Sequence, residues 1–143
     1  MYRLQVKNHF DAAHFLKDYQ GKCSRMHGHR WEVEVCVEGE LLDRKNMLID
    51  FSVIKKMMQS LLDGLDHFVI NERLREENAT AEFIAKWFFD KLTEKFRMAH
   101  QPPLDYDLID VVQRGVKVVR VCIWESPECC VKYSLDMNAT GTV

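Results

Sequence analysis

The stretch CSRMHGHRWEVEV, residues 23–35, sets one cysteine and two histidines within seven positions and then enters an alternating pattern. From His27 the odd positions read His27, His29, Trp31, Val33, Val35 and Val37, while Arg30, Glu32, Glu34 and Glu38 take the even ones. A period of two with one charged and one apolar face is the mark of a half-buried strand. Both histidines then lie on its buried side.

Upstream, Tyr2, Leu4, Val6, Asn8, Phe10, Ala12 and His14 alternate with Arg3, Gln5 and Lys7. This predicts a first strand, bent near Asn8, with His14 on its inner face. Downstream, Asp50 or Ser52 can cap a helix with Ile54, Met57, Met58, Leu61, Leu62 and Leu65 as its stripe. Thr80 can cap a second helix, whose stripe is Phe83, Ile84, Trp87, Phe88 and Leu92. Stripes of large Met and aromatic residues are far more often core than cofactor box.

The segment FRMAHQPPLDYD, residues 96–107, breaks helical periodicity at Pro102 and Pro103. KVVRVCIWE then returns as a strand that places Val119, Val121, Ile123 and Glu125 on one face, and a short last strand is expected around CVKYSL. The tail NATGTV reads as frayed from about residue 137. Two strands, two helices and two strands predict an α+β domain, an antiparallel four-stranded sheet with two helices on one face. Its free edges call for cover, and a closed ring of subunits is one way to supply it.

The 143 residues fit a single domain, 1–143, and 47% apolar and 29% charged residues with a formal net charge of −2 describe a globular chain. Nothing in that balance implies a nucleic-acid partner. No apolar run is long enough to span a bilayer and no leader pattern precedes the first strand, so a cytoplasmic protein is expected. Five cysteines, an odd number without a secretory signal, point to free thiols. A bond between the adjacent Cys129 and Cys130 would close a strained ring, so they read as small residues in a strand or turn.

Residues two apart on a strand point the same way, about 6–7 Å apart, so His27 and His29 can both turn onto one ion. If His14 pairs alongside, three neutral imidazoles converge, which suits zinc and leaves a fourth position for water or substrate. Against this stands the plain reading of two half-buried histidines with hydrogen-bond partners. Cys23 can be a fourth zinc ligand, a thiolate base near the metal, or an inert small hydrophobe. Asp66 and His67 set an acid beside an imidazole just past the first helix, an arrangement that is usually a cap with a charge partner. Glu125 continues an inward apolar face, so its carboxylate needs a salt-bridge partner or a ligand that presents two N–H groups.

Taken in order, FDAAHFL, CSRMHGHRW, NMLIDF, LDHFVIN, NATAE and CIWESPECCVKY run along most of the chain. Together they resemble the 6-pyruvoyl-tetrahydropterin synthase family, and the C-x-x-x-H-G-H spacing resembles its 6-carboxy-tetrahydropterin synthase branch, which makes a queuosine precursor. The resemblance implies a tunnelling fold (T-fold), in which the sheets of several subunits close into a trimeric barrel and two trimers stack, with active sites between subunits. It implies Zn2+ held by His14, His27 and His29, Cys23 as the catalytic thiol, and Asp66 with His67 as its relay. It further implies Glu125 as the anchor of the pterin ring and Thr80 in the segment that lines the pterin pocket.

The implied reaction is a zinc-dependent lyase reaction on 7,8-dihydroneopterin triphosphate, yielding 6-carboxy-5,6,7,8-tetrahydropterin, acetaldehyde and triphosphate. The alternatives are the pyruvoyl reaction, which eliminates triphosphate, and a non-catalytic zinc- or pterin-binding module. Lys17, Lys22, Arg25 and Arg30 lie near the metal segment and are candidates for the triphosphate. Three positions depart from the family pattern: Ala81 where a hydroxyl residue is common, Ser126 after the anchor glutamate, and Ile70 in the LDH segment. The 97–117 segment is longer than the resemblance leads one to expect.

Overall fold

The computed structural model describes residues 1–135; the tail expectation for NATGTV lies outside them. Four strands, β1 (Tyr2–His14), β2 (His27–Gly39), β3 (Lys117–Ser126) and β4 (Cys129–Tyr133), form one antiparallel sheet in the order β1-β2-β3-β4. The α-helices are α1 (Phe51–Leu62), α2 (Ile70–Leu74), α3 (Ala81–Arg97) and α4 (Tyr106–Gln113).

Alternation decides the face each strand buries. In the β1–β2 ladder Val6 faces Val35, Phe10 faces Trp31, Ala12 faces His29 and His14 faces His27. Trp31, Val33, Val35 and Val37 are fully buried, and the Phe10 and Trp31 rings stack with centroids 6.3 Å apart. The opposite face is charged and neutralised pair by pair across strands, Arg3 with Glu38 at 2.9 Å, Lys7 with Glu32, and Arg30 with Asp11 at 2.9 Å.

The two long helices stand where the capping residues place them. The Asp50 carboxylate accepts from the Ser52 amide and starts α1; the Thr80 hydroxyl oxygen accepts from the Phe83 amide and starts α3. Ile54, Met58 and Leu62 of α1 and Ile84, Phe88 and Leu92 of α3 are buried in the one core. Phe88 meets Phe10, and Phe89 meets Tyr133 of β4.

Four details differ from the sequence reading. α1 ends at Leu62, and Leu65 is buried from the turn that follows rather than from the helix. On β3 the inward residues are Val118, Val121 and Ile123, because a bulge opposite Cys36 and Val37 shifts the register and leaves Val119 as the extra residue. Helices α2 and α4 were not foreseen, so two long helices become four in all. The segment that breaks at Pro102 and Pro103 recovers into α4, which buries Leu108 and Val111 against the core.

The five cysteines are free thiols, Cys36 and Cys122 buried, Cys23 half-buried, and Cys129 and Cys130 exposed on β4.

Candidate metal centre

β1 ends at His14 and β2 begins at His27, so the hairpin sets these two residues directly opposite each other. His29 projects from the same face two residues on, above Trp31, whose ring meets His14 and His29 edge-on at 4.8 and 5.2 Å. The backbone thus aims three imidazoles at one place. Burial holds His14 and His29 below the usual histidine range.

Main-chain carbonyls fix two of the rings. His14 Nδ1 donates to the Ala79 carbonyl at 2.7 Å, and His27 Nδ1 donates to the Arg25 carbonyl at 2.7 Å. A carbonyl only accepts, so each Nδ1 carries the proton and each neutral ring presents a bare lone pair on Nε2. Those two Nε2 atoms lie 3.0 Å apart. Two lone pairs at that separation repel unless a cation or proton sits between them. His29 Nε2 is buried with no hydrogen-bond partner, although Glu125 Oε1 lies 3.0 Å away. The same carboxylate oxygen is 3.6 Å from His14 Nε2.

One ligand atom from each of His14, His27, His29 and Glu125 therefore falls within 4.8 Å of all the others. Tetrahedral zinc with bonds of about 2.0–2.1 Å spaces its donors by about 3.3 Å, which the observed 3.0, 3.0 and 3.6 Å bracket. Three imidazoles and one carboxylate oxygen are also a donor set suited to that ion. The residues fit a metal, and the orphaned His29 nitrogen is the observation that calls for one.

Cys23 lies in a single 3-10 turn, Lys22–Ser24, between the two metal-bearing strands. Its carbonyl accepts from the Leu16 amide at 2.9 Å, which ties the turn to the end of β1. Its sulfur is not among the four converging atoms, and the donor nearest the three histidines is the Glu125 carboxylate.

Asp66 and His67 sit at the free edge of β1. Asp66 Oδ1 accepts from the Asp11 amide at 2.8 Å, its Oδ2 accepts from His67 Nδ1 at 2.8 Å, and the His67 amide donates to the Asp11 carbonyl at 2.6 Å. The Asp11 amide, and next the His67 ring, hold the Asp66 carboxyl below its usual range. The His67 side chain is 80% exposed. The structure brings the dyad together with β1 but leaves its imidazole open to solvent, outside the cluster of three.

Thr80 is the α3 cap, and its neighbour Ala79 supplies the carbonyl that orients His14. The Ala79 and Arg25 carbonyls are the site components that sequence reading missed. A carbonyl leaves no signature in residue type; the only sign was the position of Ala79 immediately before a cap.

The profile of 6-pyruvoyl tetrahydropterin synthase matches residues 3–136. The chain belongs to that family. A 6-carboxy-5,6,7,8-tetrahydropterin synthase of Synechocystis is 41% identical over 90 residues, 59% of this chain and 70% of that one. A dihydroneopterin monophosphate aldolase of Pyrococcus furiosus is 31% identical over 126 residues, covering 88% of this chain and 91% of that one. The 6-pyruvoyl tetrahydropterin synthase of Caenorhabditis elegans superposes with a TM-score of 0.74 over 94% of this chain and 95% of that one, at 23% identity. That likeness is one of fold. The proteins this chain resembles thus carry three different names, a carboxy-tetrahydropterin synthase, a dihydroneopterin monophosphate aldolase and a pyruvoyl tetrahydropterin synthase.

Proposed function

We propose that the protein is a zinc-dependent lyase that converts 7,8-dihydroneopterin triphosphate to 6-carboxy-5,6,7,8-tetrahydropterin, with loss of acetaldehyde and triphosphate. The observation that carries it is the convergence of the His14, His27 and His29 Nε2 atoms in a chain whose relatives include synthases of that name. His14, His27 and His29 would hold the zinc. Bound there, zinc supplies Lewis-acid polarisation of the substrate's vicinal oxygens, which acidifies the adjacent C–H.

The chain's own residues do the rest. Cys23, on the turn between β1 and β2, takes the proton as thiolate. His67, oriented through Nδ1 by Asp66, presents Nε2 as the group that passes that proton on. The Glu125 carboxylate accepts two N–H groups from the aminopyrimidinone edge of the ring, and the Ala79–Thr80 turn forms a wall beside it. Lys17 pairs with Glu77 at 2.6 Å and Arg30 with Asp11 at 2.9 Å, so of the four cations near the metal segment Lys22 and Arg25 are the better placed for phosphate.

The active site is assembled between subunits. Two features support this: His67 faces solvent in the isolated chain, and among the described residues the outer edge of β1 has main-chain partners at residues 67–69, which leaves the rest of that edge without a strand beside it. A ring of three subunits, or two stacked rings, would cover the remaining edge and bring one subunit's dyad to another's thiol. Among the described residues no helix is long and apolar enough to cross a membrane.

A second reading is favoured by the aldolase of Pyrococcus furiosus, which matches over more of both chains than the Synechocystis synthase does. On a monophosphate substrate, removal of the C2′ hydroxyl proton in place of a C–H proton would break the C1′–C2′ bond by retro-aldol cleavage, the bonding pair passing into the ring and C2′ leaving as the aldehyde. Mass spectrometry of zinc-loaded protein incubated with each substrate separates the cases. Carboxy-pterin with trapped acetaldehyde supports the leading reading. Pyruvoyl product assigns the other synthase branch, hydroxymethyl-pterin with glycolaldehyde phosphate assigns the aldolase, and bound zinc without turnover leaves a binding module.

A further inference from the structure

Glu125 stands where a pterin anchor is wanted, yet its carboxylate is turned to the histidines. Oε1 lies 3.0 Å from His29 Nε2 and 3.6 Å from His14 Nε2. A hydrogen bond does not account for either contact. His14 Nε2 is a bare lone pair, since the proton of that ring is on Nδ1 and committed to Ala79. His29 Nε2 has no hydrogen-bond partner although the carboxylate oxygen is close, so that oxygen lies off the axis along which the ring would donate. Nitrogen and oxygen do not point at each other. Together with the other two imidazoles they lie within 4.8 Å of one another, the spacing that ligands of one ion adopt.

We propose that Glu125 is a fourth, exchangeable ligand of the metal: it closes the shell while the site is free of substrate and leaves it to grip the pterin. The inference rests on the metal reading above and adds a second role for a residue that reading uses only as an anchor. Glu125 ends the inward run of β3, and its side chain is 31% exposed, so it can reach the buried histidines and also the open side of the site. To meet two N–H groups of a ring side by side the carboxylate must present both oxygens to the ring edge, which turns Oε1 away from the histidines it now faces, so pterin binding vacates that position. The vacancy appears only when a pterin is seated, which places the substrate's oxygens opposite a metal that has just lost an anionic ligand. In the absence of pterin the carboxylate keeps water and adventitious ligands off the metal.

Cobalt(II) is a suitable probe, because its visible absorption reports coordination number and ligand exchange. Apoprotein of the wild type, Glu125→Gln and His29→Ala is loaded with cobalt, and affinity is measured by chelator competition. We expect a four-coordinate spectrum for the wild type. Glu125→Gln should show a weaker, water-containing spectrum and an affinity lower by about tenfold or more.

Addition of 6-methyl-7,8-dihydropterin, which lacks the side-chain diol, should move the wild-type spectrum to that of the unliganded Gln variant. Whether the spectrum shifts at all is read in the wild type alone. Identical spectra and affinities for wild type and Glu125→Gln, with cobalt lost in His29→Ala, would overturn the inference and leave the metal site standing. A pterin-induced shift to a third spectrum, or none at saturation, would overturn the exchange. Failure of the wild type to bind cobalt would overturn both this inference and the metal reading beneath it.

Discussion

His14 Nε2 and His27 Nε2 face each other at 3.0 Å across the β1–β2 ladder, while each Nδ1 donates to a main-chain carbonyl. The fold has placed two lone pairs in a position that only a cation or a proton relieves. We expect one zinc per chain in protein purified without chelator, and well under one in His27→Ala or His29→Ala. Removal of the metal should cost stability by mass action, about 2.7 kcal/mol when free metal stands a hundredfold above Kd. That is a fall of roughly 5–10 °C in Tm. Elemental analysis and thermal unfolding with and without chelator check both; a Tm indifferent to chelator in a zinc-loaded sample would contradict the account.

Acid should destabilise the apoprotein through the same rings. Burial depresses the pKa of His14 and His29 in the fold, so the unfolded chain, titrating near the ordinary histidine value of 6.5, binds protons first as pH falls. Their contribution to stability is whole above pH 6.5 and is lost progressively as pH drops through the depressed folded values. Thermal unfolding of chelated protein from pH 8 to pH 5 should show Tm falling below about pH 6.5, less steeply in His14→Gln. Equal slopes for the two proteins would remove His14 from the linkage.

Thr80 ties helix α3 to the metal centre through its neighbour. Its hydroxyl oxygen caps α3 by accepting from Phe83, and the Ala79 carbonyl beside it fixes His14. Thr80→Ala should cost about 1 kcal/mol, roughly 3 °C in Tm, and should weaken zinc binding as well, with both restored in Thr80→Ser. Lost stability with unchanged zinc affinity would show the cap to be independent of the site.

Cys23→Ala should keep zinc at one per chain and lose turnover, since the Cys23 sulfur lies outside the four converging atoms. Metal analysis beside product formation decides it. Loss of zinc on substitution would make the thiol a ligand, and normal turnover would remove it from the chemistry.

Strand alternation made β1 and β2 legible, and with them the shared face of His14, His27 and His29, because a period of two determines the face without knowledge of the partner. Cap residues made α1 and α3 legible in the same way. Val119 was misplaced because a bulge is a property of two strands together, and β3 alone carries no sign of it. The turn of Glu125 toward the histidines was hidden for a related reason: periodicity gives the face of a side chain but not the direction of its last bonds. α4 was hidden by the two prolines before it, which break one helix and say nothing of the next.

His67 carries a further expectation, because its backbone conflicts with its identity. Its φ of 61° lies in the left-handed region, where a non-glycine residue costs about 1–2 kcal/mol. The conformation is held by the His67 amide on the Asp11 carbonyl and the Ala13 amide on the Phe68 carbonyl, while the side chain itself is 80% exposed. Burial does not explain a histidine here, and glycine would relieve the strain, so the imidazole is kept for what it does. His67→Gly should therefore leave Tm unchanged or raised, keep zinc at one per chain, and lose turnover; His67→Gln should lose turnover without the gain in Tm. Denaturant unfolding beside product formation separates the two effects. A glycine variant that unfolds more easily yet turns over normally would make His67 a structural residue and its bond to Asp66 no more than a clasp on the edge of β1.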